Sequence, residues 1–340
     1  MMTLPNETNV FRLVEDQLGS EQAQRLIATL VIDENFASVL RQVTAAEMAM
    51  ALNIVLFADI LDRVPSGAAY VADRVSNGER ILFDHGALRT IRFVDGPTGH
   101  LPAGVDAFAR IIEPLGYRKV RAYPLEALRM TGYAWCHSQF PSTVPQFFVS
   151  ELHVEQFSEP FQAAAIRVFD KTIDPLPRSA LETLDMFGDH GAVPFERAAA
   201  VLPLCVRAFG RHHTLCTLDD YEILLAESAE AAWIATEGNA FNHATDRVQD
   251  VVGLAERLRA ERKPIKSAVE FSSSGRVRQT ALRADSVERL FLRDDGVVAR
   301  TVPGSFYEFI SRDVDAQTGQ IDLTFDSRNA QGIFAMTRAA

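Results

Sequence analysis

Residues 82–91 read LFDHGALRTI, and whether that run is strand or helix decides the fold. It lies within ERILFDHGALRTIRFV (79–94), which mixes alternation with β-branched and aromatic residues, as a strand does. Extended, it turns Ile81, Phe83, His85, Ala87 and Arg89 to one face, because side chains alternate with period 2. His85 and Arg89 would then stand about 13 Å apart at Cα, at roughly 3.3 Å per residue. Wound as a helix, they would be one turn apart, about 6 Å. Either way an arginine can serve a ligand held at His85. The competing reading is a hydrogen-bonded core histidine beside a surface cation.

On the N-terminal side, residues 8–64 are rich in Leu, Ala, Glu and Gln, lack proline until Pro65, and space their apolar residues at three and four. A helical N-terminal segment over 1–66 is expected. Its most apolar part, AAEMAMALNIVLFADIL (45–61), carries Glu47, Asn53 and Asp59 and is shorter than the roughly 20 apolar residues of a membrane helix. It reads as a buried helix. On the C-terminal side, DAFARIIEPLGY (106–117) reads as a short helix ended by glycine. Between 150 and 230, FFVSELHVEQF reads as a strand, and EPFQAAAIRVFDKTI and PFERAAAVLPLCVRAFG as helices, without a definite topology. From 231 the pattern gives AAWIAT as a strand and TDRVQDVVGLAERLRAERK as an amphipathic helix over 246–262. RVRQTALRA, VERLFL, VVARTV, SFYEFISRD and IDLTF follow as strands.

The chain has 340 residues, 47% of them hydrophobic, which is enough for a substantial core. A net charge of −11, from 34 Lys and Arg against 45 Asp and Glu, repels phosphate backbones and argues against nucleic acid. Cys136, Cys205 and Cys216 are odd in number, and no basic-then-apolar leader opens the chain, so a reducing cytoplasm is expected and no membrane association. SSSGRVRQT lacks the phosphate-loop spacing and no GxSxG elbow occurs, which argues against ATP hydrolysis and serine esterase chemistry.

In SFYEFISR (305–312), alternation sets Phe306, Glu308, Ile310 and Arg312 on one face. A carboxylate among apolar side chains must be matched by a cation or metal, or be neutralised. Arg312 could pair with it. FNHATDRV places His243 ahead of the 246–262 helix, with Thr245 or Asp246 able to cap. Two distant histidines and one late carboxylate can form a 2-His-1-carboxylate triad, which binds a divalent metal, usually Fe(II), and leaves one side open. Rival ligands are His190 in a second DHGA (189–192, within DHGAVPF, 189–195), His153 with Glu155, and a Cys205, His212, His213, Cys216 set that lacks any CxxC pair.

SFYEFISR followed by GIFAMTR (332–338) resembles the last strand and tail of 4-hydroxyphenylpyruvate dioxygenase and other vicinal-oxygen-chelate proteins. DHGALRT, FNHATDRV, VRQTAL and SFYEFISR, in that order, resemble more narrowly the 2-oxoadipate dioxygenase/decarboxylase family, over about residues 20–340. The resemblance implies an α+β fold of βαβββ modules forming a metal-centred half-barrel, with the N-terminal helical segment and helical insertions. It implies a single catalytic domain (1–340) whose C-terminal module (231–340) binds metal. Carried over by motif, His85, His243 and Glu308 are metal ligands and Arg89 contacts a substrate carboxylate. Arg278, Gln279 and Thr280 are pocket residues, unless their strand simply turns Arg278 outward. Phe306, Phe309 and Phe334 would form an apolar shell. The implied cofactor is Fe(II) and the partners are a 2-oxo acid and dioxygen: 2-oxoadipate would give 2-hydroxyglutarate and CO₂. The alternatives are a dioxygenase for another 2-oxo acid, such as an aromatic pyruvate, and a non-catalytic chelate-fold protein that binds a metal or small ligand.

Overall fold

The computed structural model describes residues 4–326, so GIFAMTR and Phe334 lie outside the described residues. In chain order come α1 (Asn9–Leu18), α2 (Ser20–Thr29), β1 (Gln42–Thr44), α3 (Ala45–Arg63) and α4 (Pro65–Ser76). A first arm follows: β2 (Phe83–Arg92), α5 (Asp106–Ile112), β3 (Tyr117–Leu125), β4 (Met130–His137) and β5 (Gln146–His153). Then come α6 (Glu159–Phe169), α7 (Arg178–His190), β6 (Ala192–Pro194), α8 (Phe195–Ala208), α9 (Leu218–Glu227) and α10 (Ala229–Glu237). The second arm is β7 (Phe241–Arg247), α11 (Val251–Ala260), β8 (Glu270–Phe271), β9 (Val277–Ala281), the hairpin of β10 (Ser286–Arg293) and β11 (Gly296–Pro303), and β12 (Phe306–Arg312).

The arms share one eight-stranded sheet, ordered β3-β4-β5-β2-β7-β12-β9-β8 and curled into a half-barrel. β5 runs parallel to β2, β12 runs parallel to β7, and β2 and β7 meet antiparallel in the middle. The βαβββ order thus occurs twice about a pseudo-two-fold between β2 and β7, the second time with the β10-β11 hairpin set apart in its own two-stranded sheet. α3 packs behind the centre, against β7, α1 and α8. Thr44 caps it by accepting from the Glu47 N–H (3.2 Å), and the Glu47 carboxylate accepts from the Thr44 N–H (2.7 Å). Such a reciprocal cap is worth about 1 kcal/mol. Residues 45–61 are accordingly a buried helix, and no described helix is long and apolar enough to cross a membrane.

Four expectations are corrected. Residues 8–64 are not helical throughout: after α2 the chain bridges Leu30 to Ile81, makes a short 3-10 turn, and pairs β1 with β6. AAWIAT belongs to α10, which is buried on every side and so lacks the helical stripe that would mark it. The helix expected over 246–262 starts only at Val251, capped by Asp250, and residues up to Arg247 extend β7. β7 is buried on both faces and shows no alternation. IDLTF contributes a single bridge, Ile321 to Val314, instead of a strand.

The pairing of β2 with β7 carries two bulges. The register steps from Phe83↔Asp246 to His85↔Thr245, and again from Ala87↔His243 to Leu88↔Phe241, leaving Asp84 and Asn242 as the extra residues. A bulge re-aims the local side chains. Both bulge residues directly precede a histidine, and the two histidines are 158 positions apart. Between the bulges Gly86 lies under the Phe241 ring, where an added Cβ would meet the ring at 2.2 Å.

Candidate metal centre

Three buried side chains meet at the middle of the sheet: His85 from β2, His243 from β7 and Glu308 from β12. The two Nε2 atoms are 3.4 Å apart, and each faces the Glu308 Oε2, at 3.3 Å from His85 and 3.2 Å from His243. Donors held about 2.1 Å from one ion at angles of 90–110° would be about 3.0–3.4 Å apart, so the set fits a transition-metal ion bound on one face. Thr245 donates to the Glu308 Oε2 at 2.6 Å and fixes the carboxylate from the adjacent strand.

The bulges orient the two rings. Asp84 Oδ2 lies 2.8 Å from His85 Nδ1, and the Asn242 amide lies 2.8 Å from His243 Nδ1. The Asp84 carboxylate holds a proton on His85 Nδ1 and leaves the Nε2 lone pair for a metal, while the Asn242 Nδ2 fixes the His243 ring. Asp84 is itself fully buried and is held by Arg312 (Nε 3.0 Å, Nη2 2.9 Å) and by Arg247 Nε (2.5 Å). Arg312 therefore serves Asp84, not Glu308 as alternation alone allowed.

Charge follows the same pattern. Burial disfavours ionised Asp84, but Arg312, Arg247 and His85 outweigh it and hold the carboxyl well below its usual range. Burial likewise opposes ionised Glu308, yet His243 and His85 keep it well below an ordinary glutamate. Burial lowers the pKa of His85, but Asp84 and Glu308 reverse this and raise it. His243 is lowered, chiefly by burial, with the charges of His85 and Arg89 adding to it. Glu308 is thus the one anion where the donors converge, and with the two imidazoles it makes a donor set suited to a divalent cation.

The pseudo-two-fold shows where the centre is open. His85 and His243 are equivalent, as are Ala87 and Thr245. Glu308 lies opposite Thr245 on β12, and the matching position opposite Ala87 on β5 is Phe148. One arm thus offers a carboxylate where the other offers a ring. The Phe148 ring is seated over Gly132, whose Cβ, if present, would meet it at 2.4 Å. The open side leads into a small cavity lined by Ala87, Phe148, Ser150, Gln279 and Phe325 beside the three donors.

Of the other residues singled out in the sequence, Gln279 lines this cavity. Its neighbours on β9 turn away: Arg278 pairs with Asp313 (2.5 Å), and Thr280 donates to the Ala268 carbonyl (3.3 Å). Arg89 is no surface cation. It is fully buried, with its guanidinium 5.1 Å from the Trp233 ring. Phe306 packs on the His243 ring (4.8 Å), whereas Phe309 faces the helices and meets Tyr70 (4.6 Å). His153 bonds Thr131 (2.8 Å) and His213 the Ala235 carbonyl (3.0 Å), while His190 ends α7 at the surface. Among the described residues, none of these joins a group that can hold a metal. Asn242, Phe148 and Phe325, and the part played by Asp84, were not read from the sequence. The signal for Asp84 and Asn242 was there: DHGALR (84–89) and NHATDR (242–247) share an acidic-or-amide, histidine, arginine frame.

The family model described as 2-oxoadipate dioxygenase/decarboxylase matches residues 40–334. The chain belongs to that family. A 2-oxoadipate dioxygenase/decarboxylase of Oryza sativa subsp. japonica, chloroplastic/amyloplastic by name, is 24% identical over 257 residues, 70% of this chain. The match spans only 62% of the rice protein's length. The chloroplastic family member of Arabidopsis thaliana is 25% identical over 293 residues, 78% of this chain and 70% of that one. Among solved structures, a protein from Ralstonia eutropha JMP134 assigned to the glyoxalase superfamily is 47% identical, with a TM-score of 0.87 over 94% of this chain and 98% of that one. The rice hydroxyglutarate synthase, solved with 2-oxoadipate, superposes with a TM-score of 0.66 at 21% identity, covering 86% and 93% of the two chains. At that identity the likeness speaks for the fold of the family.

Proposed function

We propose that this chain is an Fe(II)-dependent dioxygenase that converts 2-oxoadipate and O₂ to 2-hydroxyglutarate and CO₂. In this reading His85, His243 and Glu308 hold the metal and Arg89 holds a substrate carboxylate. The reading rests on one observation above all: the three donors meet at the head of a cavity in a chain that the family model matches over 40–334. Fe(II) held there would supply chelation of the 2-oxo acid and activation of dioxygen. The reaction balances: C1 leaves as CO₂, one oxygen atom enters the new carboxylate, and the other becomes the hydroxyl on the adjacent carbon.

The chain's own residues position and protect. Asp84 and Asn242 fix the two imidazoles, and Thr245 fixes Glu308. Phe148 and Phe325, with ring centroids 5.0 Å apart, keep water from the open side. The planar Arg89 fork, buried against Trp233, matches a carboxylate in a way a lysine ammonium cannot. The three cysteines are free and buried, in keeping with a reducing compartment such as the cytoplasm.

Oxygen uptake by anaerobically Fe(II)-reconstituted protein tests the proposal, with 2-oxoadipate and 4-hydroxyphenylpyruvate compared. Uptake matched by CO₂ and 2-hydroxyglutarate with the first substrate is the expected result. Uptake only with the second would reassign the substrate, and none with either, in iron-loaded protein, would refute the 2-oxoadipate reading in favour of another 2-oxo acid or of a non-catalytic chelate-fold protein.

A further inference from the structure

After β12 the chain runs across the open face of the half-barrel as a strap, residues 313–326. Both arms anchor it. The Phe325 N–H donates to the Tyr123 hydroxyl on β3 (3.0 Å), Gln146 on β5 donates to the Leu323 carbonyl (3.4 Å), and the Asp326 carboxylate accepts from the Ser273 N–H (2.8 Å), between β8 and β9. Phe325 and Asp326 line the cavity at the metal centre.

Arg312 joins this strap to the centre. One end of its guanidinium, Nη1, donates to the carbonyls of Asp322 (2.9 Å) and Thr324 (2.8 Å). The other end, Nε and Nη2, holds Asp84, which in turn holds His85 Nδ1. Phe325 closes the circuit, its ring centroid 5.0 Å from the Arg312 Cζ and 4.9 Å from the His85 ring. The Arg312 side chain is fully buried. A guanidinium is rigid and planar, so moving the strap carbonyls reorients the groups on its other edge. The His243 side has no counterpart: its orienting residue is a neutral amide.

We propose that Arg312 is a positioning residue that couples the strap to the His85 side of the centre, so that metal loading and strap closure favour each other. The inference rests on the metal-site reading above. By linkage the coupling must be reciprocal: a metal that tightens the strap binds more weakly when the strap is loosened.

Co(II) is the probe, and backbone hydrogen exchange over 313–326 is the readout, on the full chain. In the wild type, Co(II) should slow exchange there tenfold or more, and in Arg312→Lys less than threefold with Co(II) still held. Equal slowing in Arg312→Lys, or no slowing in Co(II)-loaded wild type, overturns the coupling. Tyr123→Phe keeps the test valid should the Arg312 variant not fold, because it removes one of the strap's hydrogen bonds to the first arm without touching Arg312, Asp84 or the donors. It should speed strap exchange, weaken Co(II) binding three- to tenfold, and shift the Co(II) absorption spectrum. Faster exchange with unchanged Co(II) affinity overturns the coupling. Wild type that fails to bind Co(II) would refute the metal site itself, and the coupling with it.

Discussion

Replacing Asp84 with asparagine removes one negative charge and almost no volume from the most constrained point of the site. The native carboxylate is fully buried and accepts from Arg312, Arg247 and His85. Asparagine leaves a single acceptor oxygen, and its NH₂ must face donors. Breaking a buried ion pair from one side costs about 3–5 kcal/mol. The lower end is expected, about 3 kcal/mol, because both arginines keep other acceptors: Arg312 the Asp322 and Thr324 carbonyls, Arg247 the Ser142 carbonyl (3.1 Å). A domain with about 5–15 kcal/mol of stability still folds after that loss. A second effect is separate from stability. His85 loses the anion that orients it, and metal affinity should fall by about 10- to 100-fold. The assay pairs urea denaturation of the metal-free protein with Co(II) titration of the folded protein. Asn242→Ala is the internal control: it removes the neutral partner of the equivalent histidine, so affinity should fall at a stability cost of only about 1 kcal/mol. If Asp84→Asn lost stability but bound metal as tightly as the wild type, the orienting role would be refuted. If it lost neither, the buried charge network would be without consequence.

Other outcomes follow from the same geometry. His243→Ala or Glu308→Ala should abolish iron retention and turnover while the far-ultraviolet circular dichroism stays native; normal activity in either would remove that residue from the centre. Arg89→Lys should retain metal, by elemental analysis, and weaken substrate binding at least tenfold, and unchanged affinity would remove its carboxylate role. Among the described residues the buried Tyr307 hydroxyl has no hydrogen-bond partner, so Tyr307→Phe should raise the unfolding free energy by about 1 kcal/mol, read as a higher urea midpoint; a clear loss would mean that the hydroxyl is satisfied in solution. Burial pushes Asp246 up to about 6 from an ordinary 3.8, against the Tyr70 hydrogen bond. Between those values the folded chain holds a proton that the unfolded chain has released, so this group's contribution falls as pH rises from about 4 to 6, by about 3 kcal/mol. The stability difference between wild type and Asp246→Asn, measured over that range, should show that slope, and a difference independent of pH would contradict it.

Much of the second arm was legible because its strands are short and bounded by turn residues, as with β9, the β10-β11 hairpin and β12. Misreadings clustered where burial is complete. α10 and β7 are buried on every side, so neither shows the apolar–polar period that separates helix from strand. The same limit hid the site's supports. Strict alternation sets Asp84 on the opposite face from His85, and only the bulge in the β2–β7 pairing brings the carboxylate to the ring. Phe325 could not be placed either, since it reaches the cavity through contacts with Tyr123 and Arg312 from distant strands.

By itself the sequence determined the ingredients: one histidine strand, a second histidine set ahead of an expected helix, a glutamate in an aromatic strand, an acidic chain with a core large enough to bury them, and motifs in family order. Ligand type and strand character are local properties, carried by residue chemistry and by neighbours two or four positions away. Tertiary structure alone decided the rest: that the two arms meet antiparallel at β2 and β7, that paired bulges aim both imidazoles inward, and that Phe148 stands where symmetry would put a second carboxylate. Those are relations between residues up to 228 positions apart, as from Asp84 to Arg312, and strand pairing creates them only once the chain has closed on itself.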